Sequence, residues 1–292
     1  MELLLTLRNT NLIEKLPGIC DGVIVGGPFC SGYNYGPEDF NQINSFCKKN
    51  NIKFYVTIED FISENEMSTL NNFFSFISQM NVDGIYFHDL GVYNIAENYG
   101  LKSKLIYDGQ TVLCNSNEVA FYMSKGIDGV VLSSELTLEE IERIIRNNQN
   151  CCDLMIFGHQ RLSYSKRKFL TNYFKQIDKN YNYFNSQTLS LIEEQRNYRM
   201  PIIEDNSGTK IYSDYVLVMY QEMARVKPYI KRGIINTLFI KDDYIIPVLR
   251  DMKRLTKDNA YFLIDNLYKN YPDNYSSGFL YQKTNITKDE QD

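Results

Sequence analysis

The chain contains two histidines, His88 and His159. The second stands in IFGHQRLSYSKRKFLTNYF, Ile156 to Phe174, just ahead of Ser163, Ser165 and the basic run Lys166, Arg167 and Lys168. A hydrolase needs a nucleophile, a base and an orienting acid held together in space. Closeness in sequence does not by itself activate a serine. The chain has no G-x-S-x-G elbow and no H-E-x-x-H. A cysteine peptidase would have to take its base from His88 or His159, and no cysteine stands in a setting that marks a nucleophile. Peptidase chemistry is therefore not legible in the residues themselves.

The cations of the same stretch suggest different chemistry. Arg161, Lys166, Arg167, Lys168 and Lys175 fall within 15 positions, among Tyr164, Phe169, Tyr173 and Phe174. Cations beside aromatics hold phosphates and stack bases. An arginine can also bind a small carboxylate through two parallel hydrogen bonds. The competing reading is a solvated helix face. Arg161, Lys166 and Arg167 are taken as the anion-binding candidates.

Composition sets the outer limits. With 292 residues, 43% hydrophobic and 23% charged, the chain is an ordinary soluble globular protein in make-up. A net charge of -5 argues against gripping nucleic acid with the whole surface but leaves room for a local basic patch. The six cysteines, at 20, 30, 47, 114, 151 and 152, form no C-x-x-C pair. They are expected to be reduced thiols, with no metal or cofactor bound by this chain alone. The start, MELLLTLRNTNLIEKL, has too short an apolar run and no basic lead for a signal peptide. No stretch approaches the ~20 apolar residues of a membrane span. A cytoplasmic location is expected.

The elements that must position these residues read as an alternation of short apolar, β-branched runs and helical segments. The strands begin near Glu2, Gly22, Ile52, Asp83, Ser103, Asp128, Asp153 and Asn236. PEDFNQINSFCKKN and EMSTLNNFFSFISQM read as helices, and so does TLEEIERIIRN, with Thr137 and Glu140 as a capping box. YIIPVLRDMKRL reads as a helix that Pro247 limits to a start near itself. Eight strands, each trailed by a helix, predict an α/β fold, a (β/α)8 barrel; a doubly wound sheet is the rival. Between strands seven and eight lies an insertion, about 175–227. It contains a hairpin turning at Asn206-Ser207-Gly208 and then a helix, YVLVMYQEMARVK. One domain is expected over 1–280, with a polar tail over 281–292.

In such a barrel the strand ends carry the chemistry. Polar residues recur there: Glu59 and Asp60, His88 and Asp89, Asp108, Gln110 and Asn115, Ser133, Ser134 and Glu135, then His159 and Arg161. Some of them could merely cap helices, Asn115 and Thr137 above all. The glycine-rich GGPFCSGYNYG lacks both the phosphate-loop and the dinucleotide signatures and reads as a tight loop.

DGIYFHDLGVYNIAENYG and LIYDGQTVLCNSNEVAFYMSKGIDGVVLSSELTLEEI resemble the collagenase-like peptidase U32 family. The positions that carry the likeness are Asp89, Gly91, Gln110, Asn115 and Glu135. FGHQRLSYSKRKFLTNYF and PIIEDNSGTKIYSD look like the short Gram-positive-type members. There the matching positions are Ser165, Lys166, Arg167, Asn172, Tyr173, Glu204, Asp205, Gly208 and Thr209. The likeness runs from about Met1 to Leu255.

The resemblance implies a (β/α)8-like domain and a peptidase label. It also implies relatives that form 5-hydroxyuridine at the tRNA wobble position, with prephenate as hydroxyl source. Several of those relatives carry an iron–sulfur cluster on four cysteines. Three departures stand out. The cluster cysteines after strand seven are absent, Ser134 replaces a basic residue before the glutamate, and the His-Gly order becomes Gly158-His159. These suit a small partner subunit of a longer, cluster-bearing paralogue, with tRNA as a further partner. The expected pocket residues are Asp89, Gln110, Asn115, Glu135, His159 and Glu204. Arg161 and Arg167 would hold a prephenate-like carboxylate or an RNA phosphate. A collagenase-like peptidase and a non-catalytic heterodimer scaffold are the alternatives.

Overall fold

The computed structural model describes residues 1–194 and 198–282, so most of the expected polar tail lies outside the described residues. The strands are β1 Glu2–Thr6, β2 Gly22–Gly26, β3 Lys53–Ile58, β4 Gly84–Phe87, β5 Leu105–Asp108, β6 Gly129–Val131, β7 Cys152–Ser165, β8 Ser190–Ile192, β9 Arg199–Asp205, β10 Gly208–Val218, β11 Arg232–Ile235 and β12 Tyr275–Ser276. The helices are α1 Pro37–Lys49, α2 Met67–Ile77, α3 Gly91–Asn98, α4 Ser116–Ser124, α5 Leu138–Asn147, α6 Phe169–Gln176, α7 Met223–Val226, α8 Asp242–Arg254 and α9 Ala260–Asn270.

Strands β1 to β7 pair in sequence order, all parallel, and β11 closes the ring between β7 and β1. This is the expected (β/α)8 barrel. Alternation along each strand divides its side chains between two cores. Leu3, Leu5, Val23, Val25, Phe54 and Val56 face the surrounding helices. Leu4, Ile24, Tyr55, Tyr86, Ile106, Val131 and Ile234 fill the barrel. The tyrosine pair fits because glycines face it. A Cβ on Gly84 would lie 2.7 Å from the Tyr55 ring, and one on Gly22 2.9 Å from it.

The N-terminal end of the barrel is closed by an ionic plug. The buried Arg232 donates to Asp153 at 2.8 Å and also to Asp128, while the Tyr86 hydroxyl donates to Asp153 at 2.8 Å. Burial pushes the Asp153 carboxyl up to about 6, with Arg232 pulling the other way.

Three expected elements are corrected. The eighth barrel strand is β11, RGII, and the run from Asn236 onward is the loop after it. The Asn236 side chain accepts from the Leu238 amide at 3.1 Å, and Phe239 takes a φ of 66°, so the chain turns there. YVLVMYQEMARVK is not one helix. Its first four residues end β10, where Val216, Leu217 and Val218 pair with His159, Gly158 and Phe157. Helix α8 begins at Asp242 and holds Pro247 inside it. A proline in the second turn removes one helical hydrogen bond, and the buried Tyr244, Ile245, Val248, Leu249 and Met252 hold the helix down regardless.

Strand β7 is 14 residues long and runs past the barrel rim. Beyond it β7 pairs antiparallel with β10, and β9 and β8 extend that layer outward. His159 and Arg161 therefore sit on a continuing strand, where a strand-end loop was expected. Gly158 makes the exit from the barrel workable. Its φ is +127°, and a Cβ would lie 2.4 Å from the Asn236 carbonyl oxygen. The expected hairpin is formed by β9 and β10, with Asp205 opposite Gly208.

Candidate functional site

A cavity of about 120 Å³ opens at the C-terminal end of the barrel. Its floor follows from the interior alternation. Two residues beyond the inward Leu4, Tyr55, Ile106, Val131 and Ile234 come Thr6, Thr57, Asp108, Ser133 and Asn236, and all five line the cavity. Glu59, Gln110, Arg161, Tyr33 and Tyr212 add to the wall.

Asp108 and Gln110 form a tight unit. The Gln110 amide donates to Asp108 Oδ1 at 3.1 Å, and its side-chain Nε2 donates to Oδ2 at 2.9 Å. Gln110 takes a φ of 60°, a left-handed conformation that a side-chain-bearing residue holds only when its surroundings fix it. Burial raises the Asp108 carboxyl above its ordinary range, and the charge of Arg161 acts against that rise. His88 Nδ1 donates to the Asp108 carbonyl at 2.8 Å, which fixes the proton on Nδ1. Across the cavity the Tyr33 hydroxyl donates to Glu59.

Arg161 is the half-buried cation of the wall. Among the described residues no group accepts a hydrogen bond or makes an ion pair with its guanidinium. It lies over the Tyr164 ring at 5.4 Å. Tyr164 stacks on Phe61 with ring centroids 5.5 Å apart and planes within 6°, and Phe61 packs on His88 at 4.4 Å. The rim of the cavity beside Arg161 is thus aromatic.

Behind this rim lies a buried polar cluster. Lys210 pairs with Asp60 and donates to Ser31, and Ser31 donates to Asp205. Burial raises the Asp60 carboxyl despite Lys210. Against the push of burial, Lys210 and Ser207 hold the Asp205 carboxyl below its ordinary range. Each charge in this cluster has a partner, so it ties the loop after β2 to the β9–β10 hairpin.

Of the residues expected at the site, Gln110 and Arg161 line the cavity. Asp89 instead accepts from the Gly91 amide at 2.7 Å and the Ile62 amide at 2.9 Å, which starts α3 and fixes the loop after β3. Asn115 is exposed and caps α4 through the amides of Asn117 and Glu118, at 3.1 and 3.0 Å. Glu135 is exposed, and its amide donates to Ser133 Oγ at 3.2 Å. His159 is buried, with Nδ1 donating to the Ser213 carbonyl at 2.8 Å, and burial lowers its pKa. Glu204 is fully buried and accepts from the amides of Leu170 and Thr171, at 2.7 and 3.0 Å, and from Thr209 Oγ1 at 2.7 Å. Lys166 pairs with Glu66 at 3.3 Å, and Arg167 is exposed. Glu59, Asp108, Ser133 and Ser134, read as strand-end polar residues, line the cavity too, whereas Thr6, Thr57 and Asn236 were missed. Counting alternate residues up each strand from its interior apolar position would have found them.

No serine or cysteine side chain among the described residues hydrogen-bonds to either histidine. Nor do three His, Cys, Asp or Glu side chains gather there in a way that could hold a metal ion. Cys20, Cys30, Cys47 and Cys152 are buried, Cys151 is half-buried and Cys114 is exposed.

Fold and site together define a (β/α)8 barrel whose polar cavity is carried by its strand ends. The profile of peptidase family U32 matches residues 19–290, and the chain belongs to that family. It resembles the solved U32 peptidase Mk0906 in fold, with a TM-score of 0.50 and 10% identity over 81% of this chain and 92% of that one. It is 24% identical to tRNA hydroxylation protein P2 of Bacillus subtilis (strain 168) over 66% of this chain and 63% of that protein. It is 26% identical to tRNA hydroxylation protein P1 of the same organism, over 55% of this chain and 39% of that protein. Collagenase of Porphyromonas gingivalis matches at 25% over 40% of this chain and 29% of its own. The matched part spans less than two thirds of the length of each of these three curated relatives.

Proposed function

We propose that this U32 chain takes part in 5-hydroxylation of the wobble uridine of tRNA, as a cytoplasmic partner subunit. The observation that carries the reading is Arg161, a cavity-wall guanidinium whose donors no group among the described residues takes up. An arginine so placed suits a planar carboxylate, which it can bind through two parallel hydrogen bonds. A prephenate-like acid offers that group. The rest of the wall, with Asp108, Gln110, Ser133 and Asn236, supplies donors and acceptors for hydroxyl and carbonyl oxygens. The names of the relatives support the tRNA side. Proteins called tRNA hydroxylation protein P2, P1 and P match from Bacillus subtilis and Escherichia coli.

An iron–sulfur cluster, which the family resemblance implies for several members, does not fit the described residues. Its ligands would be clustered thiolates, whereas among the described residues no three His, Cys, Asp or Glu side chains gather as a metal-holding group. A larger paralogue would supply the cluster, and this chain would supply a binding barrel. No helix among the described residues is long and apolar enough to cross a membrane.

The peptidase reading gains nothing from the geometry, because neither histidine has a nucleophile as partner among the described residues. Gelatin degradation by the purified chain, lost on His159→Ala with the fold intact, would revive it. The proposal is tested by placing an Arg161→Ala allele on the chromosome. Wobble hydroxyuridine measured by nucleoside mass spectrometry should fall about tenfold or more, as expected for a lost charge-assisted contact of about 1.5–3 kcal/mol. Unchanged hydroxyuridine, with the chain at normal abundance, would refute the assignment to Arg161.

A further inference from the structure

We infer that the outer face of the β7–α6 extension is a binding surface for single-stranded RNA, continuous with the cavity rim. The stretch from Arg161 to Lys179 holds six cations and one acid, Asp178, in a chain whose net charge is -5. Positive charge is thus concentrated on one short segment. Among the described residues Arg167, Lys168, Lys175 and Lys179 have no ion-pair partner, and all four are exposed. Lys166 has only the exposed 3.3 Å contact with Glu66, of a kind worth little in water.

The aromatics of this segment behave unusually for a helix. Helix α6 buries none of its residues. Phe169 is 45% exposed and Tyr173 56% exposed. Phe174 stacks on Tyr181 and Tyr183, with centroids 5.5 and 5.0 Å apart and planes within 20°. Glu204 accepts from the first-turn amides of α6 and so caps its N-terminus, while Phe169 and Tyr173 stay open to solvent. Flat rings between unpaired cations are the combination that stacks bases and neutralises phosphates. A protein partner would favour a patch poor in lysine, and this one is rich in it.

The surface also connects to the site. From the exposed cations the chain runs back through Ser165 to Tyr164, whose ring stacks on Phe61 at the rim, and then to Arg161 in the wall. An RNA loop lying along α6 would present one base at the Phe61–Tyr164 rim. The class of ligand follows from this surface alone. Its identification as a tRNA anticodon loop rests on the function proposed above.

The test uses the full chain and a synthetic anticodon stem–loop RNA with uridine at the wobble position, followed by fluorescence anisotropy over a series of salt concentrations. Two double variants, Arg167→Glu with Lys168→Glu and Lys175→Glu with Lys179→Glu, should each weaken binding about tenfold or more and lower the salt slope by about 1.4, about 0.7 for each lost phosphate contact on a single strand. Tyr173→Ser should weaken binding by about fivefold or more and leave the salt slope unchanged. These side chains are exposed, so melting temperatures should stay at the wild-type value. Wild-type affinity and slope in both charge variants would overturn the inference. So would sedimentation showing that the variants break a dimer while RNA affinity holds, since the face would then be a protein interface. If the variants lose RNA but hydroxyuridine persists in cells lacking the chain, the surface stands and the hydroxylation reading falls. If hydroxyuridine vanishes in those cells but the variants bind normally, the reverse holds.

Discussion

Arg161 and Glu204 lie in the same strand layer beyond the barrel rim and use their charges in opposite ways. Arg161 keeps its donors free toward the cavity, while Glu204 gives its carboxylate to two amides and two threonine hydroxyls. Glu204 is therefore an anchor for the start of α6. Replacing it with alanine leaves those donors unpaired in a buried place, and the chain should lose about 3 kcal/mol of stability in urea unfolding. Glu204→Gln should lose less. His159 makes a second prediction at this scale. Burial lowers its pKa, so the native state holds it neutral while the unfolded chain takes up a proton. Its contribution is complete above the ordinary histidine value of about 6.5 and is lost as pH falls below it. His159→Gln should flatten the part of the stability–pH curve just below that value, measured by denaturant unfolding at stepped pH. A curve identical to wild type would show that the histidine does not report burial.

Among the elements, local signals were strongest where one segment carries its own boundary. The Thr137–Glu140 capping box forms as the sequence implies, with the Glu140 amide donating to Thr137 Oγ1 at 3.3 Å and the Thr137 amide to Glu140 at 2.9 Å. Thr137→Ala should cost about 1 kcal/mol, read from the shift of the urea midpoint at constant slope. Local signals failed where tertiary context decides. Strand β11 reads poorly because it opens with an arginine, and only the buried Asp153 and the half-buried Asp128 make an inward arginine acceptable. The end of β10 was read as helix because Val216, Leu217 and Val218 are all buried, so no alternation shows. Pro247 misplaced the start of α8 because packing of its apolar face outweighs one lost hydrogen bond. The site was legible in part. Arg161, Gln110, Asp108 and Ser133 stood out as polar residues past strand ends, but Thr6, Thr57 and Asn236 did not, because they look unremarkable until the strand register is known. Asp89 and Asn115 were drawn in as strand-end polar residues and as positions of the family likeness; their side chains start α3 and cap α4, as acids and amides there often do.

For the whole molecule, the barrel separates its functions along its axis. The Arg232 plug closes one end, and the cavity and its charged extension occupy the other. In the function proposed above, the cationic, aromatic strip that a chain of net charge -5 keeps beside that cavity would bring one part of a polyanion to one place. The hydroxylation account joins the two, with the strip holding the RNA and the cavity holding a small acid. Its most direct test is the nucleoside content of tRNA from cells that lack this chain and keep the other members of its family. The account predicts that wobble 5-hydroxyuridine and the nucleosides derived from it disappear, and that a plasmid copy of the wild-type chain restores them. Undiminished 5-hydroxyuridine in the deletion strain would contradict it.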